Sequence, residues 1–369
     1  MSYLIPFLVL ITIVVFIHEY GHYYFARKYG VGVTDFSIGF GREIFGWNDK
    51  YGTRWKVCWI PLGGYVKFFG DRNVFSQSEQ QDIINKYNDE DKNKLFILKP
   101  LYQRSLIVAA GPLANFVLAI IIFTIINMVS GKDMTPAIIE EVQENSPAFI
   151  AGLKKNDKII SIDNKKVESI LEVATFINTS TSENLEFLIL RNDQEISLFV
   201  KPKLIDGKDS LGNSVKKRMI GIRLSPPLNN EFQKQPLGPT KAIYYSLKEV
   251  WFVTSASLNY LGSMILGSAD TSQLGGPIRI AKITGQVAEH GIIPFLSIMA
   301  YISISLGLIN LFPIPMLDGG HLMFYLIEKI LGRPLSQKTQ EGFFRIGLFL
   351  LFFLMFFVTF NDLKDLGLF

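Results

Sequence analysis

Residues 1–26 read MSYLIPFLVLITIVVFIHEYGHYYFA. No Asp, Glu, Lys or Arg occurs from Met1 to His18, and Glu19 is the only charge before Arg27. A helix needs about 20 mainly apolar residues to cross a bilayer, and this stretch is long enough. It lacks a positive start and a small-residue cleavage pattern, and cleavage after it would remove His18 and Glu19. It therefore reads as a permanent span, not a removable signal. Inside it stands His18-Glu19-Tyr20-Gly21-His22. Helical residues four apart share a face, with Cβ atoms roughly 5–6 Å apart, so the two imidazoles can hold one Zn²⁺. Glu19 lies close enough to take a proton from a water on that metal, and zinc lowers the pKa of such a water toward ~7. Ligand-type residues inside a membrane span are expensive to bury and functional by default.

Three further stretches are uncharged and long enough to matter: Ser105 to Gly131, Gly291 to Leu317 and Ile346 to Asn361. The last is short, and its span is expected to begin near Phe343 with Arg345 snorkelling. A fifth, Val250 to Ala269, is interrupted by Ser, Gly and Asn and reads better as an interfacial helix than as a span. The expected fold is a polytopic α-helical membrane protein with four transmembrane helices. Hydrophobic residues make up 49% of the chain, in line with that expectation. A net charge of only +4 gives no global field for nucleic acid, so no nucleic-acid partner is expected. The single cysteine, Cys58, excludes a disulfide framework and reads as a small semi-buried hydrophobe.

Basic residues set the expected orientation. Segment 27 to 104 carries 13 Lys and Arg, and the loop before the last span carries Lys329, Arg333, Lys338 and Arg345. The N-terminus has none before the first span, and the C-terminal tail has Lys364. The positive-inside rule then places both termini outside the cytoplasm.

Catalytic zinc usually has three protein ligands and one open position. The third span ends in Asn310-Leu311-Phe312-Pro313-Ile314-Pro315-Met316-Leu317-Asp318-Gly319-Gly320-His321. Two prolines break the helix there, and broken backbone at membrane depth is tolerated where it is buried or lines a wet cavity. Asp318 can reach back to the metal, or it can simply cap a helix end. His321 is the other late candidate at that depth.

HEYGH in the first span and NLFPIPMLDGG in a late one resemble the site-2 protease family of intramembrane zinc metalloproteases, in particular its bacterial regulator-of-sigma-E type. The likeness extends to FSIGFGREIF, WIPLGGYVKFFGD, GPLAN and QLGGPIRIAKITGQVAEHG. It implies one zinc per chain held by His18, His22 and Asp318, with Glu19 as general base and Asn310 touching substrate near the site. It also implies a bacterial inner-membrane location. Segment 53 to 69 reads as β structure, with Leu62-Gly63-Gly64 as a turn between Thr53 to Ile60 and Tyr65 to Phe69. The resemblance makes this a hairpin dipping into the membrane beside the site, with Gly63, Gly64 and Tyr65 expected to meet an unwound substrate by strand addition.

Asn145-Ser146-Pro147-Ala148, followed by Ala151-Gly152-Leu153 and Asp157 to Ile162, is a PDZ-like signature. It is single, whereas sigma-E-type relatives often carry two. Strands are expected at Ile159 to Ile162, Leu185 to Arg191 and Ile196 to Val200, a short helix at Ile170 to Asn178, and turns at Asn164 and Asp193. Lys201 to Arg218 reads as a solvated basic loop, and Gln77 to Lys94 as a polar connector. The expected organisation is 1–130 with the first two spans and the hairpin, a PDZ-like α+β domain at 133–224 on the non-cytoplasmic side, an amphipathic membrane-surface segment at 240–290, and the last two spans at 291–369.

The expected function is an endopeptidase that cuts single-span membrane proteins within or beside the bilayer, such as an anti-sigma factor or remnant signal peptides. A membrane-anchored PDZ adaptor with a dead metal site is the alternative, but a dead enzyme need not keep Glu19. A metal transporter explains neither Glu19 nor the PDZ-like signature.

Overall fold

In a computed structural model, the described residues are 3–70, 87–180, 182–208, 214–225, 234–265 and 275–365. Among them, four helices are long and apolar enough to cross a membrane. They are α1 (Leu4–Lys28), α3 (Leu101–Val129), α8 (Ile292–Asn310) and α10 (Gln337–Asp365). The short α2 (Asp89–Lys92) precedes α3, and α9 (Asp318–Leu331) lies between the last two spans. The chain is accordingly a polytopic membrane protein. The last helix starts at Gln337, earlier than Phe343. Most of the stretch Gln77 to Lys94 lies outside the described residues.

The chain divides into two compact units, Met1–Ile122 with Gly275–Phe369, and Phe123–Leu274. In the first, β1 (Val33–Asn48) and β2 (Arg54–Phe68) form one sheet, and both strands are bent. Val33 to Ile38 pairs with Phe68 to Gly64 on one side and, from Asp35, with Arg54 to Val57 on the other. Glu43 to Asn48 then pairs with Cys58 to Arg54. The sheet thus has four ribbons in the order 64–68, 33–38, 54–58, 43–48. Leu62-Gly63-Gly64 closes the stretch over which β2 turns back: Arg54 to Val57 runs in the same direction as Asp35 to Ile38, Gly64 to Phe68 in the opposite one, and Gly63 has φ +122°. Segments 53–60 and 65–69 do not pair with each other, because β1 runs between them. The glycine pair thus stands where the chain reverses, but the arms it joins are separated by β1, which no local pattern shows.

The reversal between β1 and β2 is at 49–53. Asp49 accepts from the backbone of Tyr51 (2.8 Å) and Thr53 (2.9 Å), closing the turn. Its other oxygen accepts from Tyr23 Oη (2.8 Å) and Trp55 Nε1 (3.1 Å), tying the turn to α1. Burial alone would raise the Asp49 carboxyl, but these four donors outweigh it and hold its pKa at about 2. Behind the turn, Phe36 stacks on Trp55 at 4.2 Å and packs with Tyr23, Ala26, Val31, Val33 and Ile107. At the opposite end of α1, α7 (Pro277–Glu289) has its N-terminus seated on α10. Buried Asp362 accepts from the backbone N–H groups of Gly276, Ile278 and Arg279. A carboxylate there satisfies donors that a helix start leaves free and complements its dipole.

The second unit holds β3 (Lys132–Asp133), β4 (Ile139–Val142), α4 (Pro147–Ile150), β5 (Lys158–Ile162), β6 (Lys165–Lys166), α5 (Ile170–Thr179), β7 (Leu185–Arg191) and β8 (Gln194–Val200). β9 (Lys203–Lys208), β10 (Ser214–Met219), β11 (Ile222–Leu224), β12 (Lys234–Gln235) and α6 (Pro239–Ile265) follow. A four-stranded sheet in the order β6-β5-β7-β8 buries Ile159, Ile162, Leu185, Phe187, Ile189 and Val200. Burial of each such side chain is worth roughly 1.5–3 kcal/mol. Asp163-Asn164 and Asn192-Asp193 all have positive φ, the backbone that two-residue hairpins demand and that Asn and Asp tolerate. Lys201 to Arg218 is largely an antiparallel hairpin of β9 and β10, not a loop. α6 covers most of Val250 to Ala269 and is not one of the four apolar helices. It joins the strand module through Lys248 to Glu168 (3.2 Å) and through Phe252 against Phe176 (5.4 Å).

Asp49→Ala strands four donors, and removing an ionised acceptor is expected to cost about 1–3 kcal/mol, read as a lower thermal midpoint in detergent. Because the Asp49 pKa is depressed, its contribution is present above about pH 4 and fades as pH falls toward about 2. The Asp49→Ala protein should therefore lose less stability than the parent across that interval.

Candidate metal centre

The first unit brings three distant parts of the chain to one point. His18 and His22 occupy successive turns of α1, both buried, with their Nε2 atoms 3.2 Å apart. Asp318 Oδ2 lies 3.2 Å from His18 Nε2 and 3.5 Å from His22 Nε2. Among the described residues this is the group of His, Cys, Asp and Glu side chains whose ligand atoms can share a metal ion, all within 4.8 Å of one another. His22 Nδ1 donates to the backbone carbonyl of Ile107 at 2.9 Å, so its Nε2 carries a lone pair. That lone pair points toward a second imidazole nitrogen and a carboxylate oxygen, an arrangement that a shared cation would satisfy. The donor set, two nitrogens and an oxygen, suits zinc with an open fourth position.

The chain after α8 explains how Asp318 gets there. The helix stops at Asn310, Pro313 and Pro315 prevent its continuation, and Met316 takes φ +88°. The loop folds over the first turn of α9 so closely that a Cβ on Gly319 would come within 2.2 Å of Phe312 O, and one on Gly320 within 2.4 Å of Ile314 O. The two glycines thus allow the loop to turn Asp318 inward. Asp318 begins α9, yet its carboxylate goes to the histidines. His321, one turn on, packs its ring against Phe344 (5.6 Å) and lies outside the cluster.

Glu19 lies against the outer ribbon of the sheet. A Cβ on Gly64 would stand 3.1 Å from Glu19 Cγ, so the ribbon passes directly beside that carboxylate. Gly63 packs on the Phe40 ring and Tyr65 stacks with it at 6.2 Å. Asn310 Nδ2 reaches to 3.5 Å from His18 Nε2. On α3, Ile107, Gly111 and Asn115 are spaced by four and face α1. A Cβ at Gly111 would be 2.2 Å from His22 Nε2, and Asn115 Nδ2 lies 3.3 Å from His18 Nδ1. Residue-by-residue reading did not single out this face, although an Asn in an uncharged span was a signal for it.

The model of peptidase family M50 matches residues 6–354. The chain belongs to peptidase family M50, the site-2 protease family. A protein of Agrobacterium fabrum provisionally named a zinc metalloprotease is 40% identical over 365 residues, spanning 99% of this chain and 96% of that relative. Metalloprotease MmpA of Caulobacter vibrioides is 35% identical over 387 residues, with 99% and 96% covered. Among solved structures, the PDZ domain of an SdrC-like protein from Listeria monocytogenes aligns at 21% identity and a TM-score of 0.20, covering 25% of this chain and 90% of that domain. The M50 protein is thus a zinc metalloprotease of a bacterial membrane.

For this protease, Gly111→Ala should displace the His22 ring. We expect zinc affinity to fall at least ~10-fold, a loss on the scale of disturbed metal-site support, with membrane insertion unchanged. Metal analysis of the purified protein checks it, and wild-type zinc content would contradict it.

Proposed function

We propose that the protease is an intramembrane endopeptidase with one zinc per chain, held by His18, His22 and Asp318, and that it cuts the membrane segments of single-span proteins. The observation that carries this reading is the convergence of those three donors beside Glu19, on helices apolar enough to lie in lipid. Zinc bound there supplies Lewis acidity, which lowers the pKa of water toward ~7. Glu19 accepts the proton from the attacking water and passes it to the departing amine. Asn310, whose Nδ2 lies 3.5 Å from His18 Nε2 and which is outside the three ligands, holds the substrate backbone.

A transmembrane helix hides its peptide bonds in its own hydrogen bonds and must unwind to be cut. Among the described residues, no strand pairs with the outer side of ribbon 64–68. Gly64 and Tyr65 can accept an unwound segment there as an added strand, with Gly63 letting the ribbon bend against Phe40. Trp47, Trp59, Ile44 and Phe45 are exposed on the same sheet, which suits a sheet immersed at the lipid interface. Both termini and the PDZ-like module lie on the non-cytoplasmic side, as the basic residues of 27–104 require. The module selects among substrates, as a steric gate or by strand addition. Anti-sigma factors and remnant signal peptides are the substrate types this arrangement suits, and the α6 and α7 segments lie along the membrane surface.

The test is metal content together with cleavage of a tagged membrane substrate. Glu19→Gln should keep zinc and lose at least ~10²-fold in rate, the scale of a lost general base. His18→Ala, His22→Ala and Asp318→Ala should lose zinc, while His321→Ala keeps it. Full proteolysis by Glu19→Gln would sink the mechanism.

A further inference from the structure

We propose that Asn115 is a positioning residue that sets the tautomer of His18 by accepting a hydrogen bond from its Nδ1–H. This rests on the ligand set proposed above. A neutral imidazole that gives one nitrogen to a metal carries its proton on the other, and that N–H needs an acceptor. His22 has one, the Ile107 carbonyl at 2.9 Å. His18 Nδ1 faces the Asn115 amide, with the amide nitrogen at 3.3 Å. In that orientation the amide would donate to Nδ1. The His18 proton would then sit on Nε2, pointing at His22 Nε2 (3.2 Å) and Asp318 Oδ2 (3.2 Å), where it would bar a metal.

The other end of the same amide, Asn115 Oδ1, is buried with no partner among the described residues. The two ends of an amide have nearly the same shape, so a half-turn fits the same space. After that half-turn Oδ1 accepts from His18 Nδ1–H, and the Nε2 lone pair joins that of His22. One end of the amide is unpartnered in either orientation, so hydrogen-bond counting does not choose between them. The metal requirement does. Asn115 is also fixed in place: it is fully buried, and Ser303 Oγ donates to its backbone carbonyl at 2.9 Å. One face of α3 therefore orients both imidazoles, His22 through Ile107 O and His18 through Asn115 Oδ1.

The experiment measures zinc affinity of the full-length protein in detergent by competition with a chelator, alongside its thermal midpoint. Asn115→Asp keeps an acceptor of the same shape and is expected to hold zinc within a few-fold of the parent, whereas Asn115→Leu should weaken zinc by roughly 10–100-fold, the range for lost outer-shell partners. Retained affinity in Asn115→Leu overturns the proposal. So does an equal loss in both variants, which would mark a packing role. Should the leucine variant fail to insert, the aspartate variant decides alone: retained zinc supports the acceptor role, and lost zinc overturns it. A His18→Ala control separates the two readings, because undiminished zinc in that variant removes the ligand set itself.

Discussion

Three ionisable side chains meet among helices whose other faces are built for lipid, and most of the first unit can be understood as what that meeting requires. An isolated imidazole or carboxylate at such depth is costly, and the cost falls only when the groups satisfy one another or a metal. Two helices and a broken third must therefore approach closely. α1 supplies both histidines from successive turns, α3 runs against it with Ile107, Gly111 and Asn115 toward the rings, and the loop after α8 turns Asp318 inward. Since α1 and α8 both bring their C-terminal ends to this point while α3 meets α1 in reverse, the direction of each helix follows from the cluster.

The same economy governs the sheet beside the cluster. A simple two-stranded hairpin would have two long edges near lipid, where unpaired backbone groups are expensive. Bending both strands gives a four-ribbon sheet that pairs β1 on both sides and puts the ribbon 64–68, whose outer side pairs with no strand among the described residues, next to Glu19. Asp49 holds the bend by gathering backbone and aromatic donors from the turn and from α1. At the other end of α1, Asp362 plays a comparable part, collecting three backbone N–H groups at the start of α7. α10 is little buried along its apolar length. Asp362 holds its C-terminal end to α7, and Phe343 and Phe344 near its start pack on His321 and Phe324 of α9.

Much of the chain could be read in one dimension. The four spans are runs without charge, and length and hydropathy suffice because lipid imposes one rule on any segment that crosses it. His18, Glu19 and His22 were legible because helical spacing alone puts them together. The strands at 158–162, 185–191 and 194–200, and the turns at Asp163-Asn164 and Asn192-Asp193, were legible for a similar reason: period-two burial and positive φ leave local signatures.

What depended on contacts between distant residues was not. The arms on either side of Gly63-Gly64 do not pair with each other, because the partner of Gly64 is 26 residues upstream at Ile38. The hairpin of β9 and β10 was hidden beneath its charges. Asp318 could have capped a helix or reached the histidines, and the spacing of 296 residues from His22 carries no geometric information. The α3 face that touches the imidazoles is ordinary apolar helix apart from Asn115. The sequence by itself determined which segments enter the membrane and which two histidines share a face, since both follow from period and polarity within one segment. Only the tertiary structure decided which carboxylate completes the cluster and which backbone carbonyl and amide meet its rings, since those distances exist only once separate helices have packed.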